Sequence, residues 1–276
     1  MTPAVLPAKN EASTVGMVVA GLKLCGWSVT VVDDSSTDTT AVIARSHGAA
    51  VLRAHEAGYG GAVRTGLRAA LDAGHHHVLT IDADGVHDPR EARALLDRHL
   101  ETGAQLTIGT RELPSLPPPK AASNMFACAV VNHLLGIGLP DVTSGFRVLG
   151  SDLAQAVLEG HGAPGFHLPY ETIACAVASG MRIATAPVTA TYPRPAESLA
   201  TNRDELLDAF SFAISIGDSD HRCREELRRL RDLVKNRRAI TAEIAGRSYH
   251  AQPVRNAYRF SCRPVVTRDD HLGRGA

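Results

Sequence analysis

An α/β domain, built on a mostly parallel sheet flanked by helices and followed by a charged C-terminal helical extension, is the fold this sequence predicts. Three observations predict it. Short apolar runs alternate with amphipathic stretches through the first half of the chain, as parallel strands with crossover helices require. Polar residues gather just after those runs, where a parallel sheet exposes the carboxyl ends of its strands. Beyond Asp218 the composition shifts and arginine becomes frequent.

Strands are expected at Ala4–Leu6, Val29–Val32, Ala50–Leu52, Val78–Ile81 and Gln105–Ile108, each short, apolar and bounded by turn residues. Helices are expected at Thr14–Leu24, Thr39–Ser46, Gly60–Ala73 and Arg90–Glu101. Ser13 and Thr37 are N-cap types, and Pro89 suits a first turn. The run Leu113-Pro114-Ser115-Leu116-Pro117-Pro118-Pro119 can continue neither a helix nor a central strand. A helix should follow over Ala121–Leu135, then two more over Leu153–Leu158 and Tyr170–Ser179. A strand pair is expected near Ile183–Ala186 and Val188–Tyr192. Arg222 to Arg238 reads as a charged helix with Leu227, Leu230, Leu233 and Val234 on one face. That narrow stripe suits docking on the parent domain, with a homodimer contact as the alternative. The tail beyond Gly246 is expected to be irregular or disordered, with at most a strand at Val265-Val266. The chain thus divides into 1–217, with halves at 1–112 and 113–217, and an extension at 218–276.

At 276 residues the chain can bury a substantial core. Its 29 basic and 29 acidic residues cancel, which argues against a general nucleic-acid binder. Five scattered cysteines without a CxxC pair suit a reducing cytoplasm rather than a disulfide framework or zinc site. A strand starting at Ala4 leaves no room for a signal peptide. The most apolar stretch, Phe126–Leu139, falls short of a membrane span and contains Asn132 and His133. A cytoplasmic protein is expected, and the Arg-rich tail alone could supply a peripheral membrane contact.

Four loops at successive strand ends carry the distinctive residues. They are Pro7-Ala8-Lys9-Asn10-Glu11, Asp33-Asp34-Ser35-Ser36-Thr37-Asp38, Gly58-Tyr59-Gly60-Gly61-Ala62-Val63-Arg64-Thr65-Gly66, and Asp82-Ala83-Asp84-Gly85-Val86-His87-Asp88-Pro89. Singly, each reads equally well as a cap or polar turn; together on one sheet edge they point to a ligand. Asp82 and Asp84 are hard oxygen ligands suited to Mg²⁺ or Mn²⁺, ions that commonly bridge carboxylates to substrate phosphates. His75-His76-His77, at a helix end, reads as solvated histidines favoured by the helix dipole.

These loops, with Gly109-Thr110-Arg111, Asp141-Val142-Thr143-Ser144-Gly145-Phe146-Arg147 and Tyr192-Pro193-Arg194-Pro195-Ala196-Glu197-Ser198, resemble a family 2 glycosyltransferase of the GT-A fold. The nearest branch is the dolichol-phosphate mannose synthase-like one, and the likeness spans roughly residues 1–212. It implies a metal-dependent inverting transferase using a GDP- or UDP-sugar donor. Pro7, Ala8, Glu11, Asp33 and Asp34 would hold the base and ribose. Gly61 would admit backbone close to the nucleotide, and Arg64 would lie near the diphosphate. Asp82-Ala83-Asp84 would form the donor turn, with Asp84, assisted by Asp82, holding the cation. Arg111, Lys120 and Arg194 match places where the family sets basic residues around phosphates. A hydroxyl acceptor would need Asp141 or Glu171 as general base, although Asp141 reads equally as the cap of the Thr143-Ser144-Gly145 turn. A phosphate acceptor, already ionised, needs no base.

Three departures bear on this likeness. Val86 stands where the branch often has a ligating glutamine, leaving His87, Asp88 or water to complete a metal shell. Leu199 replaces a lysine expected near acceptor phosphate. Lys120 replaces an arginine and loses its bidentate geometry. The acceptor is therefore open between a polyprenyl phosphate and a hydroxyl of a small molecule, and a degenerate, non-catalytic nucleotide-sugar-binding protein is a lower alternative. A nucleotidyltransferase is disfavoured, because Pro7-Ala8-Lys9-Asn10-Glu11 is not its glycine-rich loop.

Overall fold

The computed structural model describes residues 2–160, 168–192, 201–202, 207, 210, 221–236, 238–244, 247–254 and 257–264. Its first half alternates as the sequence predicts: β1 (Pro3–Ala8), α1 (Val15–Leu24), β2 (Ser28–Asp33), α2 (Thr40–Ser46), β3 (Ala50–Arg53), α3 (Tyr59–Asp72), β4 (His77–Thr80), α4 (Ala92–Thr102) and β5 (Leu106–Arg111). Then come α5 (Pro118–Leu135), β6 (Arg147–Gly150), α6 (Ser151–Glu159), α7 (Leu168–Ala178) and β7 (Ile183–Val188). The seven strands lie in the order β3-β2-β1-β4-β6-β5-β7. β1 runs parallel to β2 and β4, and β5 runs parallel to β7. β6 is antiparallel to both its neighbours, β4 and β5.

Some local expectations change. Thr14 and Thr39, rather than Ser13 and Thr37, occupy the cap positions, and neither makes a side-chain capping bond. Pro89 opens a single 3₁₀ turn capped by Asp88, whose carboxylate accepts from the Arg90 N–H at 2.9 Å. β6 was not expected: its four residues run straight into α6 with no turn between. The predicted pair near residues 183–192 is one strand, β7, with Ala190 bridging His87. Pro187 is tolerated there because β7 lies at the sheet edge.

Two apolar layers cover the sheet. One joins Leu6, Val31 and Leu79 to Val18, Leu22 and Leu95 of α1 and α4. The other joins Val5, Leu106 and Leu149 to Leu67, Val131, Leu153 and Ile173 of α3, α5, α6 and α7. The C-terminal segment is more ordered than predicted. β8 (Thr201–Asn202), α8 (His221–Lys235), β9 (Ile240–Ile244), β10 (Arg247–Val254) and β11 (Ala257–Pro264) form a helix and a four-stranded sheet of order β8-β11-β10-β9. Two of those strands, β10 and β11, replace the expected irregular tail beyond Gly246, β9 was not expected, and Val265-Val266 lies outside the described residues. The predicted stripe does dock on the parent domain: Leu227, Leu230 and Val234 are buried against Ala122 and Phe126 of α5 and Tyr249 of β10. Thus α5 is covered on both sides, which explains its even apolarity. Among the described residues no helix is long and apolar enough to cross a membrane.

Candidate active site

The first two loops are stitched together by side chains. Asn10 and Ser35 both adopt left-handed backbone, with φ of 57° and 58°. Asn10 is one of the residue types that tolerate this conformation, and its neighbours hold it. Its N–H donates to Ser36 Oγ at 3.0 Å, and its Oδ1 accepts from the Thr37 N–H at 2.8 Å. The Glu11 N–H donates to Thr40 Oγ1 at 2.8 Å, and the Ala12 N–H to Asp38 at 3.2 Å. Pro7 and Ala8 are buried at the end of β1.

Asp33 and Asp34 differ in what they do. Asp34 is 5% exposed and accepts from Lys9 Nζ at 3.2 Å and from the Gly58 N–H at 3.0 Å. Its own N–H donates to the Ala8 carbonyl. It therefore ties three strand ends together. Asp33, half-buried, accepts one backbone bond, from Ser36 at 3.3 Å. Gly61 has a structural reason to be glycine: a Cβ there would sit 2.2 Å from the Glu56 carbonyl oxygen.

At the end of β4 the Asp82 carboxylate lies in a cradle. Its Oδ1 is buried and has no hydrogen-bond partner. A Cβ on Gly145 would meet its oxygens at 2.3 and 2.4 Å, so only glycine allows this approach. Burial, then the neighbouring Asp84 charge, push Asp82 up to about 7, while the Tyr59 hydroxyl and Arg111 and Arg147 oppose the shift. Asp84 turns its loop by accepting from the Val86 N–H at 3.0 Å. An orphaned buried oxygen beside a second carboxylate is a donor set that a divalent cation would satisfy. Mg²⁺ is typically held by one or two carboxylates with substrate phosphates and water. Among the described residues no three His, Cys, Asp or Glu side chains converge on such an ion. Asp88 is engaged elsewhere, on the Arg90 guanidinium at 2.6 Å. His87 is 3% exposed against the Phe146 ring, with Nδ1 unpartnered. Burial, then the Arg111 charge, draw it down to about 3.

Across the site Asp141 is fully buried and fully satisfied. Arg111 grips it through Nε at 2.8 Å and a second nitrogen at 3.0 Å. The N–H groups of Thr143 and Ser144 and the Asn124 amide add bonds of 3.0, 3.2 and 2.9 Å. Burial alone would raise its pKa; the Arg111 charge and these bonds overcome that and hold it below the usual carboxylate range. Of its two predicted roles, the turn cap matches this geometry. Arg111 also donates to Tyr192 Oη at 3.3 Å. Glu171 forms an ion pair with Arg64, joining α7 to α3. Burial pushes Glu171 up, against the pull of Arg64. Lys120 is half-buried in the first turn of α5. Arg194 lies outside the described residues, as does the Leu199 departure.

Sequence reasoning gave no role to three residues here. Tyr59 sits beside Asp82. Gly145 forms the cradle. Arg147 is 3% exposed and donates to the Ser144, Val142 and Pro169 carbonyls and to Thr172 Oγ1. The Gly145-Phe146-Arg147 run, ending a polar turn, was the available signal. His77 also departs from expectation: its Nδ1 lies 3.2 Å from Nε2 of buried His99, which in turn contacts Thr107 Oγ1 at 3.0 Å.

Residues 4–157, more than half of the chain, match the sequence profile described as glycosyl transferase family 2. The chain is a family 2 glycosyltransferase. Its relatives support the dolichol-phosphate mannose synthase-like branch. A polyprenol monophosphomannose synthase from Mycolicibacterium smegmatis is 28% identical over 69% of this chain and 77% of that one. An undecaprenyl-phosphate mannosyltransferase from Micrococcus luteus is 28% identical over 67% and 81%. The transferase has the GT-A fold, shared with glucosyl-3-phosphoglycerate synthase from Mycobacterium tuberculosis. That structure, in complex with Mn²⁺, UDP and glucosyl-3-phosphoglycerate, superposes with a TM-score of 0.62, covering 96% of this chain and 90% of that one at 21% identity.

Proposed function

We propose that this glycosyltransferase moves a sugar, with inversion, from a nucleoside-diphosphate sugar to a polyprenyl phosphate. The observation that carries the acceptor is the state of Asp141 and Glu171. Asp141 is buried in its pair with Arg111 and Glu171 is paired with Arg64, so neither is available to deprotonate a hydroxyl. An acceptor phosphate is ionised near neutrality and attacks without a base. Its oxygen forms the new bond to the anomeric carbon as the bond to the diphosphate breaks, and no proton moves. The named activities of the two relatives support the same acceptor.

On this reading residues 1–112 handle the donor and 113–217 the acceptor. Asp33, beside Pro7, Ala8 and Glu11, meets the nucleoside, while Asp34 ties the surrounding strand ends together. Asp82 and Asp84 would hold Mg²⁺ or Mn²⁺, which when bound neutralises charge on the departing diphosphate. Lys120 supplies positive charge on the acceptor side, Arg111 there being occupied in holding Asp141, and Arg194 is assigned there from its place in the family pattern.

The test is direct. The purified protein, given UDP- and GDP-sugars with and without Mn²⁺, should glycosylate a short-chain polyprenyl phosphate and yield the inverted anomer by NMR. Transfer confined to hydroxyl acceptors such as phosphoglycerate would overturn the acceptor assignment.

A further inference from the structure

The formal neutrality of the chain conceals a division. Between His221 and Pro264, twelve Arg and Lys face four Asp and Glu, whereas residues 1–217 carry fifteen against twenty-one. The basic segment is the folded module of α8 and its sheet. The module has turned its apolar side inward: Leu227, Leu230, Val234, Ala242, Tyr249 and Ala251 are all buried. Arg228, Lys235, Arg238 and Arg247 are exposed. Its root is α5, the helix whose first turn carries Lys120 and whose Asn124 holds Asp141. The excess charge is thus anchored to the acceptor side of the site.

We infer that this module is a cationic platform that docks the enzyme on an anionic lipid surface. The inference deepens the proposed acceptor and rests on it for the identity of the surface, since a polyprenyl phosphate resides in a bilayer. Charge selects the partner: basic residues near an anionic leaflet are attracted within about a Debye length. The acidic catalytic domain is repelled by the same surface, so the contact is oriented. A nucleic acid would be drawn by the same charge, and it enters the test as the competing partner.

The full-length protein is tested by co-sedimentation with vesicles of phosphatidylcholine alone or mixed in equal parts with phosphatidylglycerol. Binding is expected only to the mixed vesicles, falling steeply as salt rises. Each basic residue contributes about fivefold near such a surface, so the triple variant Arg228→Gln, Lys235→Gln, Arg247→Gln should bind about a hundredfold more weakly. Its UDP affinity and melting temperature should be unchanged. Equal binding to both vesicles, or unaltered binding by a folded triple variant, overturns the inference; stronger binding to duplex DNA or RNA does the same. Should the triple variant not fold, the salt titration of the wild-type protein decides. Parallel assays on a water-soluble, short-chain polyprenyl phosphate separate the two readings. Vesicle binding without transfer overturns the acceptor and leaves the docking standing; transfer without vesicle binding overturns the docking alone.

Discussion

Asp82 and Asp141 are the same residue type in one site, both near Arg111, and the protein treats them in opposite ways. Asp141 has a bidentate arginine, three backbone N–H groups and an amide. Asp82 has a buried oxygen with no partner and a second carboxylate two residues away. One is held below the ordinary carboxylate range and the other is raised to about 7. A carboxylate whose bonds are complete is scaffold. One left incomplete in a buried place is poised for a ligand that the fold does not itself supply. The donor side keeps unmet demand, and the acceptor side has met its own.

Breaking the satisfied side should have the largest effect. Asp141→Ala leaves Arg111 buried without its partner, and removing one member of a buried pair typically costs about 3–5 kcal/mol. Urea denaturation should show that loss. A stability change under about 1 kcal/mol would return Asp141 to the list of candidate bases.

The unsatisfied side should answer differently. Asp82→Asn removes a charge that the fold disfavours, so stability should hold or rise slightly. The advantage that Mn²⁺ gives to UDP or GDP binding should vanish, and transfer should fall by at least about tenfold to a hundredfold, the range seen when metal-site partners are removed. Calorimetric titration with and without chelator measures the first, and a turnover assay the second. Asp84→Ala should behave alike, its stability cost held to that of one loop bond. An Asp82→Asn protein with undiminished metal-assisted binding would erase the contrast between the two carboxylates.

This contrast was only half legible in the sequence. The alternation that gives β1 to β5 is local, so the donor loops could be placed at one edge before any contact was known. Asp82 and Asp84 follow from β4 directly. The pairings that decide the acceptor side are distant: Arg111 finds Asp141 thirty residues on, and Arg64 finds Glu171 across 107. No periodicity reports such pairs. β6 escaped notice because Arg147-Val148-Leu149-Gly150 is too short to show a pattern, and its antiparallel insertion between β4 and β5 is decided by the whole sheet. In β11 the alternation Tyr258-Arg259-Phe260-Ser261-Cys262-Arg263 was present, but its arginines read as a charged tail rather than as one face of a strand.

The end of the sheet remote from these two carboxylates provides a control. Burial, then the proximity of His77, draw His99 down to about 4 from 6.5. The unfolded chain takes up a proton below 6.5 that the folded protein refuses until about 4, so stability is lost as pH falls through that window. The loss should be of order 3 kcal/mol, and His99→Gln should flatten that part of the pH–stability curve. A curve of unchanged shape in the variant would place the titrating group elsewhere.

The smallest effect belongs to Lys9, and it sharpens the division of labour between Asp33 and Asp34. The Lys9 side chain is 57% exposed while that of Asp34 is 7% exposed, so water screens the pair, and such pairs contribute about 0–1 kcal/mol. Lys9→Met should therefore leave the melting temperature nearly unchanged. Asp34 would keep its Gly58 bond and still join the strand ends, so nucleotide affinity should fall only a few-fold. Asp33→Asn, at the carboxylate assigned to the nucleoside, should weaken nucleotide binding by much more without loss of stability. Asp34→Asn should do the reverse in proportion, lowering stability first and affinity through it. Titrating UDP and GDP against the three variants, each with its melting temperature, orders them. If Lys9→Met cost as much affinity as Asp33→Asn, Lys9 would be a direct nucleotide ligand, and the Asp34 bridge would be a resting contact rather than part of the scaffold.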